Sequence, residues 1–341
     1  MHIISVSIIV PIYNVELYVE DSIRSVMCQT YDGPLECIVV DDCGTDDSMV
    51  KVEKLISEYT GPITFKVLHH THNRGLSAAR NTGMDAATGD YLYFLDSDDE
   101  ITDDCIKELA EPLLKNHYDI VVGDLEMIGS DKPYGSLKLK LEDKTIIKSD
   151  KIFGTYHKRW NETATNKLYR SSFVNYESLR FKEGLLFEDE LWSFQVACLA
   201  ESLFAVNKIT YIIRDREGSI TSSSSNDTRI KNCSIILAEM VSFAKKKNKY
   251  NFNTHQFVQN FFFMVLRYSS ESYNKFAEIY KNIRPEVKPT IKCLLKGNKY
   301  RYKCYIRDIH YFLPSVFAPY WLYYFIDPIQ SLRNRRRNDK I

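Results

Sequence analysis

Three carboxylates follow a short apolar segment near the end of the first hundred residues. Asp96, Asp98 and Asp99 come directly after Tyr91–Leu95, which has the composition of a buried strand. Carboxylates this close raise one another's pKa, and Mg²⁺ or Mn²⁺ relieves the repulsion when carboxylate and phosphate oxygens bind it. The spacing alone is equally compatible with a metal site beside a phosphate group and with a cap, by Asp98 or Asp99, of the helix predicted from Asp103.

A second acidic pair, Asp41 and Asp42, follows another apolar run, Glu36–Val40. An ionised carboxylate only accepts hydrogen bonds, which suits a base N–H or a ribose hydroxyl. Tyr13 follows the first predicted strand and offers a ring on which a flat base can stack. These residues predict a nucleotide pocket.

Two arginines lie in the glycine- and alanine-rich segment 73–83. Arg74 and Arg80 could neutralise a diphosphate or hold the acidic residues in place. The simpler alternative is a helix that packs closely on the sheet, with Arg80 in a salt bridge.

The elements that must position these residues alternate between strands and helices, which predicts βαβ units and a mainly parallel sheet with helices on both faces. Such sheets bind ligands beyond the carboxyl ends of their strands, where the acidic groups lie. No G-x-G-x-x-G follows a strand and no GxxxxGK[ST] occurs, which argues against dinucleotide and P-loop nucleotide binding. The predicted strands are 4–10, 36–40, 63–68, 91–95 and 119–123, and the predicted helices are 16–28, 47–59, 76–87 and 103–115.

These motifs resemble those of the family 2 glycosyltransferases, GT-A-fold enzymes that use nucleotide-sugar donors. Ser7–Asn14 looks like the opening strand with its Pro-x-Tyr-Asn, and segment 73–83 matches the central motif. Val39–Asp46 is similar to Val-Asp-Asp-Gly-Ser-Thr-Asp, with Cys43 and Gly44 in place of Gly-Ser. Asp96-x-Asp98 resembles the metal-binding Asp-x-Asp, and the resemblance covers about residues 5–215.

The resemblance implies roles for individual residues. Tyr13 and Asp41 would hold the base, usually uracil, Asp96 would contact the ribose, and Asp98 would ligate the Mn²⁺ or Mg²⁺ that bridges the diphosphate. The predicted nucleotide-sugar site comprises Pro11, Tyr13, Asp41, Asp42, Arg74, Arg80 and Asp96, and the predicted metal ligands are Asp98 and Asp96.

Glu188 and Asp189 resemble the family's Glu-Asp element, whose Asp is the catalytic base. An inverting displacement needs one carboxylate to take the proton of the acceptor hydroxyl while a metal stabilises the departing nucleoside diphosphate. Asp189 is the candidate for this base, with Glu188 second. Without the resemblance, the preferred explanation of both residues is that acidic side chains at a helix N-terminus complement the helix dipole. On the acceptor side, Lys167 is expected to meet phosphate or to lie in a solvated basic turn. Trp192 is expected to be a sugar platform or a core residue.

The charge is divided unevenly along the 341 residues. Residues 1–230 hold 24 basic and 38 acidic residues, whereas residues 231–341 hold 21 and 7, although the formal net charge is zero. We predict a catalytic domain at 1–225, with a nucleotide-binding half at about 1–125 and an acceptor half at about 126–225. A helical, basic and aromatic region follows at 226–341.

The C-terminal region has the two features that together give reversible membrane attachment. Tyr311–Ile326 is uncharged and aromatic, and Arg333, Arg335, Arg336 and Arg337 follow it. We expect it to meet the anionic inner membrane surface; the alternative is a helical cap with a solvated basic end. Nucleic acid is not expected as a partner, because no recognised binding motif accompanies the charge.

The location follows from what the sequence lacks. The eight cysteines form no CxxC pair, the N-terminus carries no signal-peptide pattern, and no segment reaches the roughly 20 apolar residues of a membrane span. We therefore predict a cytoplasmic, peripheral membrane enzyme. The paired His70 and His72 are expected to be satisfied surface residues and not metal ligands.

The sequence thus predicts a metal-dependent, inverting hexosyltransferase of cell-surface polysaccharide synthesis, such as capsule or O-antigen assembly. Its donor would be a UDP-sugar and its acceptor a glycan carried on a lipid diphosphate. The alternatives are a sugar nucleotidyltransferase, whose Gly-rich signature loop is missing, and a catalytically inactive membrane scaffold of the same fold. The sugar and linkage are not predicted.

Overall fold

A computed structural model of the chain describes residues 3–129, 145–148, 151–154, 162–215, 224–289 and 308–326. The chain divides into two compact units, residues 1–219 and 220–341. The boundary predicted after residue 225, and the division into nucleotide and acceptor halves, stay predictions.

Nine strands of the described residues form one mixed sheet, in the order β3-β2-β1-β4-β8-β6-β9-β5, with β7 paired to β9. The parallel part is β3-β2-β1-β4, β8 is inserted antiparallel between β4 and β6, and β6 runs parallel to β9. The strands are β1 Val6–Ile12, β2 Leu35–Asp41, β3 Thr64–His69, β4 Tyr91–Phe94, β5 Glu100–Ile101, β6 Ile120–Ile128, β7 Thr145–Lys148, β8 Lys167–Arg170 and β9 Ser202–Arg214.

The central strands β1 and β4 are buried along their whole length, as expected for strands covered on both faces. Helix α3 packs closely on β1 at Gly83. A Cβ at this residue would lie only 2.4 Å from Ile9 Cγ2, so glycine allows the close contact. The helices of this unit are α1 Val19–Met27, α2 Ser48–Glu58, α3 Leu76–Ala86, α4 Cys105–Ala110, α5 Ser171–Tyr176 and α6 Glu188–Leu199. This architecture confirms the predicted α/β class.

One predicted helix is shorter than expected. The sequence predicts a helix over 103–115, but α4 ends at Ala110 and a 3₁₀ helix follows over Glu111–Leu114. Pro112 lies at its start, where it lacks the N–H that would continue the α-helical hydrogen bonds.

The second unit is helical, as predicted. It comprises α7 Asn226–Lys246, α8 Phe252–Tyr268, α9 Tyr273–Val287, a 3₁₀ turn at Ile309–Tyr311, α10 Phe317–Trp321 and a π-helical turn at Leu322–Ile326. None of the helices in the described part of the chain has the length and apolar composition needed to cross a bilayer.

Candidate active site

The carboxyl ends of β1, β2 and β4 lie side by side, because β1 pairs in parallel with both neighbours. Tyr13 directly follows β1 and is 46% exposed. Asp41 is the last residue of β2 and pairs with Ile12, and Asp96 comes shortly after β4 ends. The fold thus brings Tyr13, Asp41 and Asp96 to one edge of the sheet.

Asp41 shapes the loop that follows β2. Its Oδ1 accepts a hydrogen bond from the Cys43 backbone N–H at 2.9 Å, and its Oδ2 lies 3.0 Å from His69 Nδ1. Cys43 stands where the resembled motif has glycine and adopts a φ of 59°, a left-handed conformation that glycine adopts more easily. The turn is therefore formed without the glycine of the motif, and 16% of the Asp41 side chain stays exposed.

The structure gives Asp42 a structural role in place of the predicted nucleotide contact. Asp42 is 2% exposed, and its carboxylate accepts hydrogen bonds from the backbone N–H groups of Arg74 and Gly75, both at 2.8 Å. His70 Nδ1 lies 2.7 Å from the same carboxylate, and His70 Nε2 lies 2.9 Å from Thr82 Oγ1. His70 is satisfied as predicted but is not a surface residue, since only 5% of its side chain is exposed.

Arg80 lies at the centre of a group of three carboxylates. Its Nη2 donates to Asp96 Oδ1 at 2.8 Å, and its Nη1 donates to Glu188 Oε1 at 2.8 Å and to Asp189 Oδ1 at 2.7 Å. The Arg80 side chain is 1% exposed. Of the alternatives that the sequence left open, Arg80 therefore holds acidic residues together, and it links the strand end at Asp96 to the start of α6.

The protonation of this carboxylate group is set by burial and by its own charges. Burial, and then the charge of Asp189, raise the pKa of Glu188 to about 7. Burial and the charge of Asp96 also raise the pKa of Asp189, although Arg80 opposes this. Burial lowers the pKa of Arg80, but the three carboxylates outweigh it and raise that pKa overall, so the guanidinium stays charged. Asp189 is the more accessible acid, with 23% of its side chain exposed against 9% for Glu188.

The acidic turn after β4 is fixed by β9. Tyr211 donates from its hydroxyl to Asp99 Oδ2 at 2.8 Å, and the Arg214 N–H donates to Asp99 Oδ1 at 3.0 Å. Burial, and then the charges of Asp98 and Asp96, raise the pKa of Asp99 to about 8. Asp99 is thus a buried structural acid that β9 holds in place, while Asp96 and Asp98 are partly exposed.

The predicted metal ligands fit a divalent ion only together with substrate oxygens. Within the residues that the structure describes, no three His, Cys, Asp or Glu side chains are arranged to hold a metal. Asp96 and Asp98 offer two carboxylates, and one Asp96 oxygen already bonds Arg80. Mg²⁺ and Mn²⁺ sites of phosphate chemistry use one or two carboxylates plus phosphate oxygens, so the donor set is compatible with such an ion.

Two other predicted nucleotide-site residues lie apart from the carboxylate group. Arg74 donates from Nη2 to Glu183 Oε1 at 3.3 Å, in an exposed pair. Pro11 is buried inside β1, where it pairs with Val40. Pro11 therefore positions Tyr13 through the strand and does not itself face the edge of the sheet.

Lys167 fits neither sequence-based alternative. It is 1% exposed, and its Nζ donates to the backbone carbonyls of Thr163 at 2.7 Å and Thr165 at 3.0 Å. Burial lowers its pKa to about 8. Because the preceding loop encloses the ammonium group, Lys167 is neither in a solvated turn nor exposed to a phosphate.

Trp192 is a core residue, not a sugar platform. It is 1% exposed and stacks on Phe181, with ring centroids 4.2 Å apart and planes inclined by 10°. The Arg80 guanidinium lies 5.1 Å from the centroid of the same Phe181 ring. Trp192 therefore supports Arg80 through Phe181.

The cavity of about 510 Å³ in unit 1 lies at the opposite edge of the sheet, near Ile4, Asp90, His117 and Arg170. Asp90 precedes β4, whereas the acidic turn follows it. This cavity is therefore not part of the carboxylate site.

Comparison with known proteins identifies the family. The family model described as Glycosyl transferase family 2 matches residues 7–176. The chain belongs to glycosyl transferase family 2. The matched segment includes Tyr13, Asp41, Arg80, Asp96 and Asp98, whereas the Glu188–Asp189 pair lies beyond it.

Curated relatives match just under two thirds of the chain. The chain is 32% identical over 231 residues to "Glycosyltransferase GlyA" of Streptococcus pneumoniae, covering 63% of this chain and 31% of that protein. It is 31% identical to "Uncharacterized glycosyltransferase EpsJ" of Bacillus subtilis, covering 63% and 62%. It is 28% identical to "Poly(ribitol-phosphate) beta-N-acetylglucosaminyltransferase TarS" of Staphylococcus aureus, covering 64% and 37%. The chain thus spans less than two thirds of the length of these three relatives.

Solved structures share the fold. Residues 1–349 of S. aureus TarS in complex with UDP-GlcNAc superpose with a TM-score of 0.65 at 23% identity, covering 90% of this chain and 89% of that one. The mannosyltransferase PcManGT of Pyrobaculum calidifontis, in complex with GDP-Man and Mn²⁺, has a TM-score of 0.55 at 14% identity, covering 96% and 88%. This likeness confirms the predicted GT-A-like family 2 fold.

Two residues that shape this site have no recognisable signal in the sequence. The Phe181 ring packs against both the Arg80 guanidinium and the Trp192 ring. The Tyr211 hydroxyl fixes the acidic turn by its hydrogen bond to Asp99. Both are distant in sequence from the residues they support, and aromatic residues are common in this chain, where they make up 13%. Only the fold reveals their role.

Proposed function

We propose that the protein transfers a hexose from a UDP-sugar to a hydroxyl group, with inversion, in the synthesis of a cell-surface polysaccharide. One observation carries the proposal. The Arg80 guanidinium donates hydrogen bonds both to Asp96, which follows β4, and to Asp189, at the start of α6. The two carboxylates are therefore held next to each other. A donor bound along the strand ends would thus place its leaving group and its reacting carbon next to a carboxylate of raised pKa.

The donor site is assigned to the exposed strand ends. Tyr13 offers a ring for a base, and the partly exposed Asp41 offers an acceptor for a base N–H. Asp96 is assigned to the ribose. TarS, a relative of similar fold, has been solved with UDP-GlcNAc and with UDP, which supports a uracil nucleotide as the donor here.

A divalent metal, Mn²⁺ or Mg²⁺, is assigned to Asp98 and Asp96 together with diphosphate oxygens. When bound, it would neutralise the charge that develops on the departing diphosphate. PcManGT has been solved with Mn²⁺, which supports this choice of ion. Asp98→Ala is therefore expected to abolish metal-stimulated donor turnover.

Asp189 is assigned as the base. Its ionised carboxylate would take the proton of the acceptor hydroxyl as the oxygen attacks the anomeric carbon and the bond to the diphosphate breaks. Glu188 is less exposed and accepts a hydrogen bond from Arg80, so it is assigned a positioning role instead. Arg80 would keep both carboxylates in position through the reaction.

We assign the acceptor to glycans carried on a lipid diphosphate, as in capsule or O-antigen assembly. Two observations support this: the name of TarS, a relative, states that it acts on poly(ribitol-phosphate), and residues 231–341 are strongly basic. A basic region would attract an anionic carrier.

The test measures UDP release from a panel of UDP-sugars with Mn²⁺, with Mg²⁺ and with EDTA, with and without a lipid-linked acceptor. Asp189→Asn is expected to lower turnover by about 10²-fold to 10⁴-fold while donor binding changes little. Asp32→Asn, in an exposed loop, is the matched control and should behave as the native protein. Release from no donor would favour the inactive scaffold, and release of diphosphate on incubation with a sugar phosphate and UTP would favour a nucleotidyltransferase.

A further inference from the structure

Exposed apolar side chains are concentrated in one short segment of the second unit. Of the fourteen large hydrophobic residues that are exposed in the described ranges, six lie between 309 and 324. We name this group the C-terminal aromatic face; it consists of Ile309, Phe312, Val316, Phe317, Tyr320 and Tyr324, which are 43% to 68% exposed. Clustered exposure of this kind marks an interaction site, whereas isolated exposed residues do not.

The C-terminal aromatic face stands on a fixed backbone. Arg284 donates from Nη2 to the carbonyl oxygens of Tyr311 at 2.8 Å and Leu313 at 2.9 Å. The Tyr311 hydroxyl bonds the buried Gln259 side chain. Between the exposed residues, Ala318, Pro319 and Leu322 are buried in the unit. The exposed rings are therefore held outward by a packed inner side and are not a product of local unfolding.

Neighbouring rings order the second half of the face. The Tyr273 ring of α9 contacts Tyr320 edge-on at 6.0 Å between centroids and lies 5.9 Å from Tyr324. Half of each of these two tyrosines nevertheless stays exposed. Tyrosine, with an apolar ring and a polar tip, is the side chain that membrane interfaces favour.

The charge around the face indicates which partner covers it. No Asp, Glu, Lys or Arg occurs from Ile309 to Ile326, and Arg333, Arg335, Arg336 and Arg337 follow closely in sequence. Residues 231–341 contain 21 basic and 7 acidic residues. Contact between the same faces of two copies would bring two positively charged regions together, whereas a bilayer with anionic headgroups accepts both the apolar rings and the basic chain.

We propose that the C-terminal aromatic face inserts into the headgroup region of a bilayer that contains anionic lipid. This surface binds without the donor or the acceptor, so its test needs no turnover. The proposal and the proposed reaction can therefore fail separately.

The test is flotation of the full chain with vesicles of phosphatidylcholine alone and of phosphatidylcholine with phosphatidylglycerol. We expect binding to the anionic vesicles that weakens as salt is added. Phe312→Ser with Phe317→Ser, which are 60% and 64% exposed, should lower the partition coefficient about tenfold or more. The matched control is Val50→Ser with Leu114→Ser, at 66% and 59% exposure in the other unit, which should leave binding within about twofold.

The thermal midpoint of each variant is measured to show that it is folded. Only exposed side chains are changed, so we expect each midpoint to match that of the native protein. A folded Phe312→Ser, Phe317→Ser protein that binds anionic vesicles like the native protein would overturn the proposal. So would a native protein that binds neither vesicle, or sedimentation showing that the same substitutions abolish a dimer and leave vesicle binding intact. Replacement of Arg335, Arg336 and Arg337 by Gln should weaken binding to the anionic vesicles only, and an equal loss on both vesicles would contradict the electrostatic part.

Discussion

Arg80 is suited to its position because a guanidinium presents several N–H donors in a fixed plane, whereas an ammonium is a compact point charge. Its two terminal nitrogens bond three carboxylates that come from the turn after β4 and from the first residues of α6. Phe181 covers one face of the guanidinium. At the residue scale, the relative placement of Asp96 and Asp189 therefore depends on one side chain.

Arg80→Lys should keep the positive charge but should no longer hold Asp96 and Asp189 in their relative positions. A lysine at residue 80 can bond one or two of the carboxylates, so turnover should fall by about 10²-fold, the usual cost of misplacing a reacting group by about 1 Å. Arg180→Lys is the matched control, since Arg180 pairs with the exposed Asp85 at 2.9 Å, and exposed pairs contribute little. Steady-state kinetics on both proteins decide the matter. Equal turnover in Arg80→Lys and the native protein would show that placement does not depend on the guanidinium.

The pH profile should report the carboxylate group. The pKa of Asp189 is raised from its ordinary value of 3.8 and that of Glu188 is raised to about 7, so both acids hold their protons at higher pH than usual. A base must be ionised, so kcat should decline as the pH falls, at a pH above the ordinary range of an aspartate, and should be level at higher pH. Arg80→Gln removes the charge that favours ionised Asp189 and should move this decline to higher pH, while Arg80→Lys should move it less. A decline only near pH 4 in the native protein would contradict the role of Asp189.

At the element scale, β2 and α3 are joined through Asp42. Its buried carboxylate receives the backbone N–H groups of Arg74 and Gly75 just before α3 begins at Leu76. Gly75 has a φ of 88°, a positive value that glycine adopts easily, at the residue before the helix. The hydrogen bond of its N–H to Asp42 holds it in this conformation. The position of Arg80, one turn further into α3, follows from this anchor.

Asp42→Ala should destabilise the protein by about 3 kcal/mol, because it leaves buried N–H groups without an acceptor. Urea unfolding at neutral pH measures the change. Asp32→Ala, at an exposed loop position, should change the free energy of unfolding by less than about 0.5 kcal/mol. If the two variants are equally stable, Asp42 does not anchor α3.

The sequence predicts elements better than it predicts which acid does what. Strand and helix alternation, with acids at strand ends, was sufficient for the α/β class and for the shared edge of Tyr13, Asp41 and Asp96, because hydrophobic periodicity is a local signal. Asp41 and Asp42 are adjacent and chemically identical, yet successive strand-end side chains point in different directions, so one stays exposed and the other is buried. Lys167 shows the same limit: its ammonium group is enclosed by the backbone carbonyls of its own loop, which sequence spacing does not specify.

At the scale of the whole molecule, the zero net charge is the sum of an acidic N-terminal region and a basic C-terminal region. Residues 1–230 have an excess of acidic residues and residues 231–341 an equal excess of basic ones, and the sequence pI is about 7.1. A protein with no net charge lacks the repulsion that keeps molecules apart in solution. Opposite regions of different molecules can then attract one another.

Light scattering at about 10 mM ionic strength should therefore be greatest near pH 7 and should decrease as NaCl is raised to about 0.3 M. The screening length falls from about 30 Å at 0.01 M to about 8 Å at 0.15 M, so attraction between the charged regions weakens across this range. Apolar association through the C-terminal aromatic face would respond in the opposite way, because salt does not screen it. Phe312→Ser with Phe317→Ser separates the two causes: it should leave the salt-dependent scattering unchanged, and scattering that persists in salt but disappears in this variant would refute the electrostatic origin.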